Sequence, residues 1–105
     1  MHVVVKEPGK EPKAMNIQNT WAWFLHIIGG QIDMIKISDD VVGLVLQEKD
    51  AILKQMAPNL RVGEESMIRG NAVFLAIDTN GNFLGLTETQ EKYAVSFVNQ
   101  HSIET

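Results

Sequence analysis

Three histidines, His2, His26 and His101, are the only imidazoles of the chain, and their wide separation gives none of the short spacings that hold a metal ion. His26 stands between Leu25 and Ile27, a setting that fits a structural histidine on a helix better than a ligand or an acid–base group. Cysteine is absent, which removes thiolate catalysis, disulfides and cysteine-based zinc sites together. A nucleophile would have to be serine, threonine or lysine, and Ser38, Ser66 and Ser96 lack the Gly-x-Ser-x-Gly setting that exposes a reactive hydroxyl. Two carboxylates brought together by folding can act as acid and base, yet each Asp and Glu here also suits a turn or a solvated surface, and no pair stands out. We therefore expect no catalytic residues, no metal and no cofactor: a protein that is not an enzyme.

Three short motifs resemble functional loops and fail on their chemistry. Asp78-Thr79-Asn80-Gly81-Asn82 begins like a calcium loop, but the sixth position is Phe83 rather than glycine and the twelfth is Thr89, which offers no bidentate carboxylate. Gly9-Lys10 has neither the upstream glycine nor the following hydroxyl of a phosphate loop. Gly29-Gly30-Gln31 matches the hydrolytic tripeptide of peptide-release factors, but it directly ends an apolar helix, and helix termination explains it without chemistry.

The elements that would position any site can be read from periodicity and turn residues. Residues 2–5 form a β-branched strand, and Glu7-Pro8-Gly9-Lys10-Glu11-Pro12 is a connection that neither helix nor ladder continues through. Asn19 or Thr20 caps a helix with Trp21, Phe24, Leu25 and Ile28 on its apolar side, stopped at Gly29-Gly30. Residues 31–37 and 41–46 read as a hairpin turning at Ser38-Asp39-Asp40, the first strand being bulged or covered on both faces. Residues 48–55 are a helical turn or an irregular return, ended by Pro58-Asn59-Leu60. The unbroken apolar run 73–77 predicts a central strand, and Asn80-Gly81 a two-residue type I′ hairpin into residues 83–86. Thr87 and Gln90 have capping-box spacing for a final helix from about Glu88 to about His101, with an apolar stripe of Tyr93, Ala94, Phe97 and Val98 and a Glu88–Lys92 pair. The expected architecture is one α+β domain over residues 1–105, a mostly antiparallel sheet of about five strands packed by two principal helices.

Composition bounds the partners. The 105 residues carry a net charge of −4, and the acidic excess falls in the second half, where residues 61–105 hold three basic and six acidic groups. That balance argues against direct nucleic-acid binding. No apolar run is long enough for a bilayer, so no membrane partner is expected, and the lack of cysteine fits a cytoplasmic location.

One stretch exceeds what a core-facing stripe can bury. In Trp21-Ala22-Trp23-Phe24-Leu25 the apolar positions surround the helix, so part of this surface is all-round core or a contact face, with Trp23 expected to face outward.

The order of landmarks resembles that of the domain of unknown function 3846 family of phage, plasmid and conjugative-element proteins. The similarity runs through Pro8-Gly9-Lys10-Glu11-Pro12, Ile17-Gln18-Asn19-Thr20 before the helix that closes on Gly29-Gly30, Pro58-Asn59-Leu60-Arg61, Gly70-Asn71-Ala72, Asp78 with Gly81, and Leu86-Thr87. It departs from the family pattern in the first helix, where Trp21, Trp23 and Phe24 stand in place of a more polar, leucine-spaced stretch. The resemblance implies an accessory, anti-defence role: non-enzymatic, stoichiometric inhibition of a type II-A CRISPR effector, with Cas9 or its complex with guide RNA as protein partner. In that reading Asp39, Asp40, Glu64 and Glu65 attract the partner and Trp23 anchors it. The competing expectation is a module binding a nucleotide or signalling metabolite through Asn59, Arg61 and Arg69.

Overall fold

A computed structural model describes residues 1–18, 20–63 and 66–103. The valine-rich start forms β1 (His2–Lys6), which turns back through residues 7–12 into β2 (Lys13–Asn16). Next come the helix α1 (Trp21–Ile28) and the hairpin of β3 (Ile32–Lys36) and β4 (Val41–Leu46), followed by a short helix α2 (Glu48–Leu53). The strands β5 (Pro58–Arg61) and β6 (Met67–Arg69) form a separate two-stranded sheet, with one further bridge from Leu60 to Ser102. The chain then runs through β7 (Ala72–Ile77) and β8 (Phe83–Leu84) into the final helix α3 (Glu88–His101).

The main sheet has the order β2-β1-β7-β4-β3, antiparallel throughout, with β8 extending the β1 side of β7. Strand residues alternate between its two faces. Val3, Val5, Val42, Leu44, Leu46, Val73 and Leu75 pack under Phe24 and Ile28 of α1 and Ala51 of α2. Val4, Val41, Val45, Ala72, Phe74 and Ala76 pack against Ala94 and Val98 of α3 and against Leu60 and Ile68 of the small sheet. Both faces are covered, which is why β1, β4 and β7 read as continuous apolar runs. Gly43 is needed by this packing: a Cβ there would lie 2.9 Å from the ring of Phe74, its partner across the ladder.

The expected α+β sheet with two principal helices is therefore present, one principal helix on each face, with six strands in the main sheet and two in a second. Thr20 caps α1, its Oγ1 accepting the Trp23 N–H at 3.3 Å, and Gly29 ends it with φ +85°. Asn19, the other capping candidate, lies outside the described residues. Both bonds of the Thr87–Gln90 capping box form, at 3.2 and 2.9 Å. The β3 ladder runs without a bulge: Ile32 packs on one face and Ile35 and Ile37 on the other.

Several local expectations change. Residues 48–53 take the helical one of the two expected forms, but Pro58-Asn59-Leu60 is a strand rather than a terminator, because Pro58 sits at the first position of a two-stranded sheet. The segment after Pro12 is a strand, although Lys-Ala-Met-Asn has no strand signature. The Asn80-Gly81 hairpin exists but its loop is three residues long: the Gly81 N–H reaches the Asp78 carbonyl at 3.1 Å, the Asp78 N–H reaches Asn82 O at 3.0 Å, and Gly81 alone takes positive φ, +84°. That is a type I turn followed by a left-handed glycine, not type I′. The strand after it is also shorter than expected, Phe83–Leu84 only.

Candidate functional site

The turn over residues 7–12 separates two concavities that share Lys10 and Glu11 in their walls. The larger is a groove of about 610 Å³ between α1 and the edge strand β2. Its walls are apolar side chains, Val5, Met15, Ile17, Trp23 and Ile27, rimmed by Glu7, Lys10, Glu11 and Lys13. The geometry follows from the helix repeat. Phe24 and Ile28 point into the core, while Trp23 and Ile27, each one residue earlier, fall together on the flank beside β2. The Trp23 ring is held by an edge-to-face contact with Phe24, centroids 5.4 Å apart, and Phe24 in turn meets Phe83 at 6.0 Å.

The over-wide aromatic stretch is thus divided. Trp23, expected to face outward, is half-buried on the groove wall, and the outward tryptophan is Trp21, 55% exposed, with Leu25 one turn on. Phe24 takes the core direction, so its neighbours at 21 and 23 are pushed to opposite flanks.

The smaller concavity, about 390 Å³, lies between the turn and the C-terminal end of α3, lined by Lys6, Gly9, Lys10, Glu11, Pro12, Asn99, Ser102 and Ile103. Lys6 shares its strand parity with Val4 and is buried, 1% exposed. Its Nζ donates to the Glu7 carbonyl at 2.7 Å and to Asn59 Oδ1 at 2.9 Å. Asn59 is fully buried and donates to the carbonyls of Lys6 and Gly70, both at 2.8 Å. Burial pushes the Lys6 ammonium below the usual lysine range, opposed by the Glu11 carboxylate.

The other expected site residues are scattered. Asp39 and Asp40 lie in the β3–β4 turn, at the sheet edge opposite β2, so they and Trp23 do not form one patch. Asp40 is already engaged, accepting from Gln90 Nε2 at 2.8 Å and Ser38 Oγ at 2.9 Å, and these bonds hold its carboxyl below the usual carboxylate range. Glu64 and Glu65 lie outside the described residues. Asn59, Arg61 and Arg69 share the small sheet, but the Asn59 amide is occupied on all sides and is not available to a ligand as expected; Arg61 is exposed and Arg69 half-buried.

The motif lookalikes resolve locally. Asp78 turns its carboxylate inward on its own loop, accepting from the N–H groups of Asn80 at 2.8 Å and Asn82 at 2.9 Å, and the Asn82 bond leads in holding it below the usual carboxylate range. Gly29-Gly30-Gln31 is closed by α2: Lys54 Nζ donates to Gly29 O at 2.7 Å and the Gln31 N–H to Asp50 at 3.1 Å. His26 is exposed on the last turn of α1. Among the described residues no group of three or more His, Asp or Glu side chains could hold a metal ion, and no helix is long and apolar enough to cross a membrane.

Sequence reasoning did not single out Lys6, Met15, Ile17 or Ile27. Lys6 carried a signal, since it continues a strand whose three valines are all buried and shares its parity with Val4. The rest depended on recognising β2.

Fold and clefts define a small α+β domain with a two-faced antiparallel sheet and an apolar groove at one sheet edge. The sequence pattern described as domain of unknown function 3846 matches residues 1–98, and the chain belongs to that family. No curated protein and no solved structure matches it.

Proposed function

We propose that this domain is a non-enzymatic binding module whose Trp23 groove receives an extended segment of a partner protein. Following the sequence resemblance, we take the partner to be a type II CRISPR nuclease or its guide complex, held in an inhibited state. The observation that carries the first part is the juxtaposition of an apolar groove with a sheet edge, β2, that among the described residues has no neighbour on its outer side. A segment lying along β2 would hydrogen-bond its outer backbone groups while alternate side chains entered the groove against Trp23, Met15, Ile17 and Ile27. Tryptophan suits such an anchor because it removes a large area from water with few rotamers to freeze. The mixed charges of the rim favour orientation over bulk attraction, and a net charge of −4 is too small for imitation of a nucleic acid. Asp39, exposed at the far edge, can steer encounter with a basic partner without taking part in the anchored contact.

The test is size-exclusion chromatography of the purified domain with several type II nucleases, with and without guide RNA. Stoichiometric co-elution is expected with at least one of them. Absence of co-elution with all of them would overturn the nuclease assignment.

A further inference from the structure

A second site follows from Lys6, which lines the smaller cleft and not the groove, although the two share Lys10 and Glu11 in the wall between them. An ammonium group has three protons to donate, and two are taken by neutral acceptors, the Glu7 carbonyl and Asn59 Oδ1. Among the described residues no carboxylate lies within ion-pair distance of Nζ, although the side chain is 1% exposed. A buried ammonium that no carboxylate contacts directly is unfavourable unless something completes its surroundings, and Glu11 acts on this one only from beyond ion-pair distance. Lys6 is also part of a cleft wall, and that cleft holds about 390 Å³, enough for a small organic molecule.

We propose that this cleft is a site for a small oxyanion, a carboxylate or phosphate group, held by the third Lys6 proton, with Lys10, the Asn99 amide and the Ser102 hydroxyl around it. Among the described residues the wall carries two cations and one anion, Glu11, which suits the site to a ligand of low charge rather than a polyphosphate chain. Asn59 acts as a positioning residue. By bonding the Lys6 carbonyl and Nζ together with the Gly70 carbonyl, it fixes the lysine, while its own carbonyl accepts the Ile103 N–H at 3.0 Å and fixes the segment after α3 that closes the cleft. The small sheet thus serves the anion site from behind rather than by direct contact.

The experiment titrates inorganic phosphate and, separately, acetate into the 15N-labelled full chain at constant ionic strength, following amide shifts. Saturable shifts at Gly9, Lys10 and Ser102 are expected with one or both probes. Lys6→Met keeps the apolar stem and should abolish them. Because that substitution also leaves Asn59 Oδ1 without its donor and can unfold the chain, two variants in the exposed turn carry the test independently. Lys10→Ala should weaken binding several-fold and Glu11→Gln should tighten it several-fold, opposite signs that follow from opposite charges in one wall. No saturable shift with either probe, or equal affinity in wild type, Lys10→Ala and Glu11→Gln, would overturn the site.

Discussion

His2 is the residue whose charge the fold changes near neutral pH. Its Nε2 contacts the Glu91 carboxylate of α3 and its Nδ1 faces Asn16 Oδ1 of β2 at 3.1 Å, so one ring joins three elements. The Glu91 bond, then the Asn16 bond, raise its pKa above the usual histidine value. A raised folded value means that the protonated ring is stabilised by folding. The contribution is fully present below the unfolded value near 6.5 and is lost as pH rises through the higher folded value. Melting curves across that window should show stability falling with pH in the wild type and a flatter dependence in His2→Gln. The side chain is one-third exposed, so solvent screening keeps the effect small. Equal pH dependence in the two proteins would show that the contact contributes nothing. Nothing in the sequence near His2 or Glu91 predicted this pairing, because it joins the first strand to the last helix. Asn59 illustrates the same limit: its residue type suggested a ligand contact, and only the burial of Lys6 beneath it showed that its hydrogen bonds are internal.

At the scale of elements, those with strong local signals were legible. The α1 and α3 boundaries follow from Thr20, Gly29 and the Thr87–Gln90 box, and β1, β4 and β7 from apolar runs. The strands β2 and β5 were missed for a shared reason: each is short and half polar in composition, so pairing with a neighbour, not propensity, makes it a strand. The turn at Asn80-Gly81 was legible as a turn but not in type, because the Asp78 carboxylate, by accepting the Asn80 and Asn82 N–H groups, selects the three-residue loop. Gly81 remains the residue with φ +84°, where a β-branched side chain is strained. Gly81→Val should therefore lower stability by roughly 1 kcal/mol or more, read as a lower urea midpoint with unchanged slope. An unchanged midpoint would contradict the assigned turn.

For the whole molecule, the sheet is covered on both faces, by α1 and α2 on one and by α3 with the small sheet on the other, which leaves its edges as the places where backbone can accept a partner. The groove lies at one of these edges, beside β2, and this arrangement was not legible in sequence because it needs both an unrecognised strand and the rotation of α1 that places Trp23 and Ile27 on that flank. The family pattern covers residues 1–98 and so includes every groove residue, but it carries no statement of function. The central claim is that Trp23 anchors an inhibited nuclease partner. The most direct measurement is a titration of target cleavage by a type II nuclease with wild-type domain, Trp23→Ala, and Lys92→Ala as a control exposed on α3. Wild type and Lys92→Ala should inhibit in proportion to molar ratio, and Trp23→Ala should need at least about tenfold more protein, near 1.4 kcal/mol of lost binding. Cleavage unaffected by the wild type, or inhibition by Trp23→Ala equal to that of the wild type, would contradict the claim.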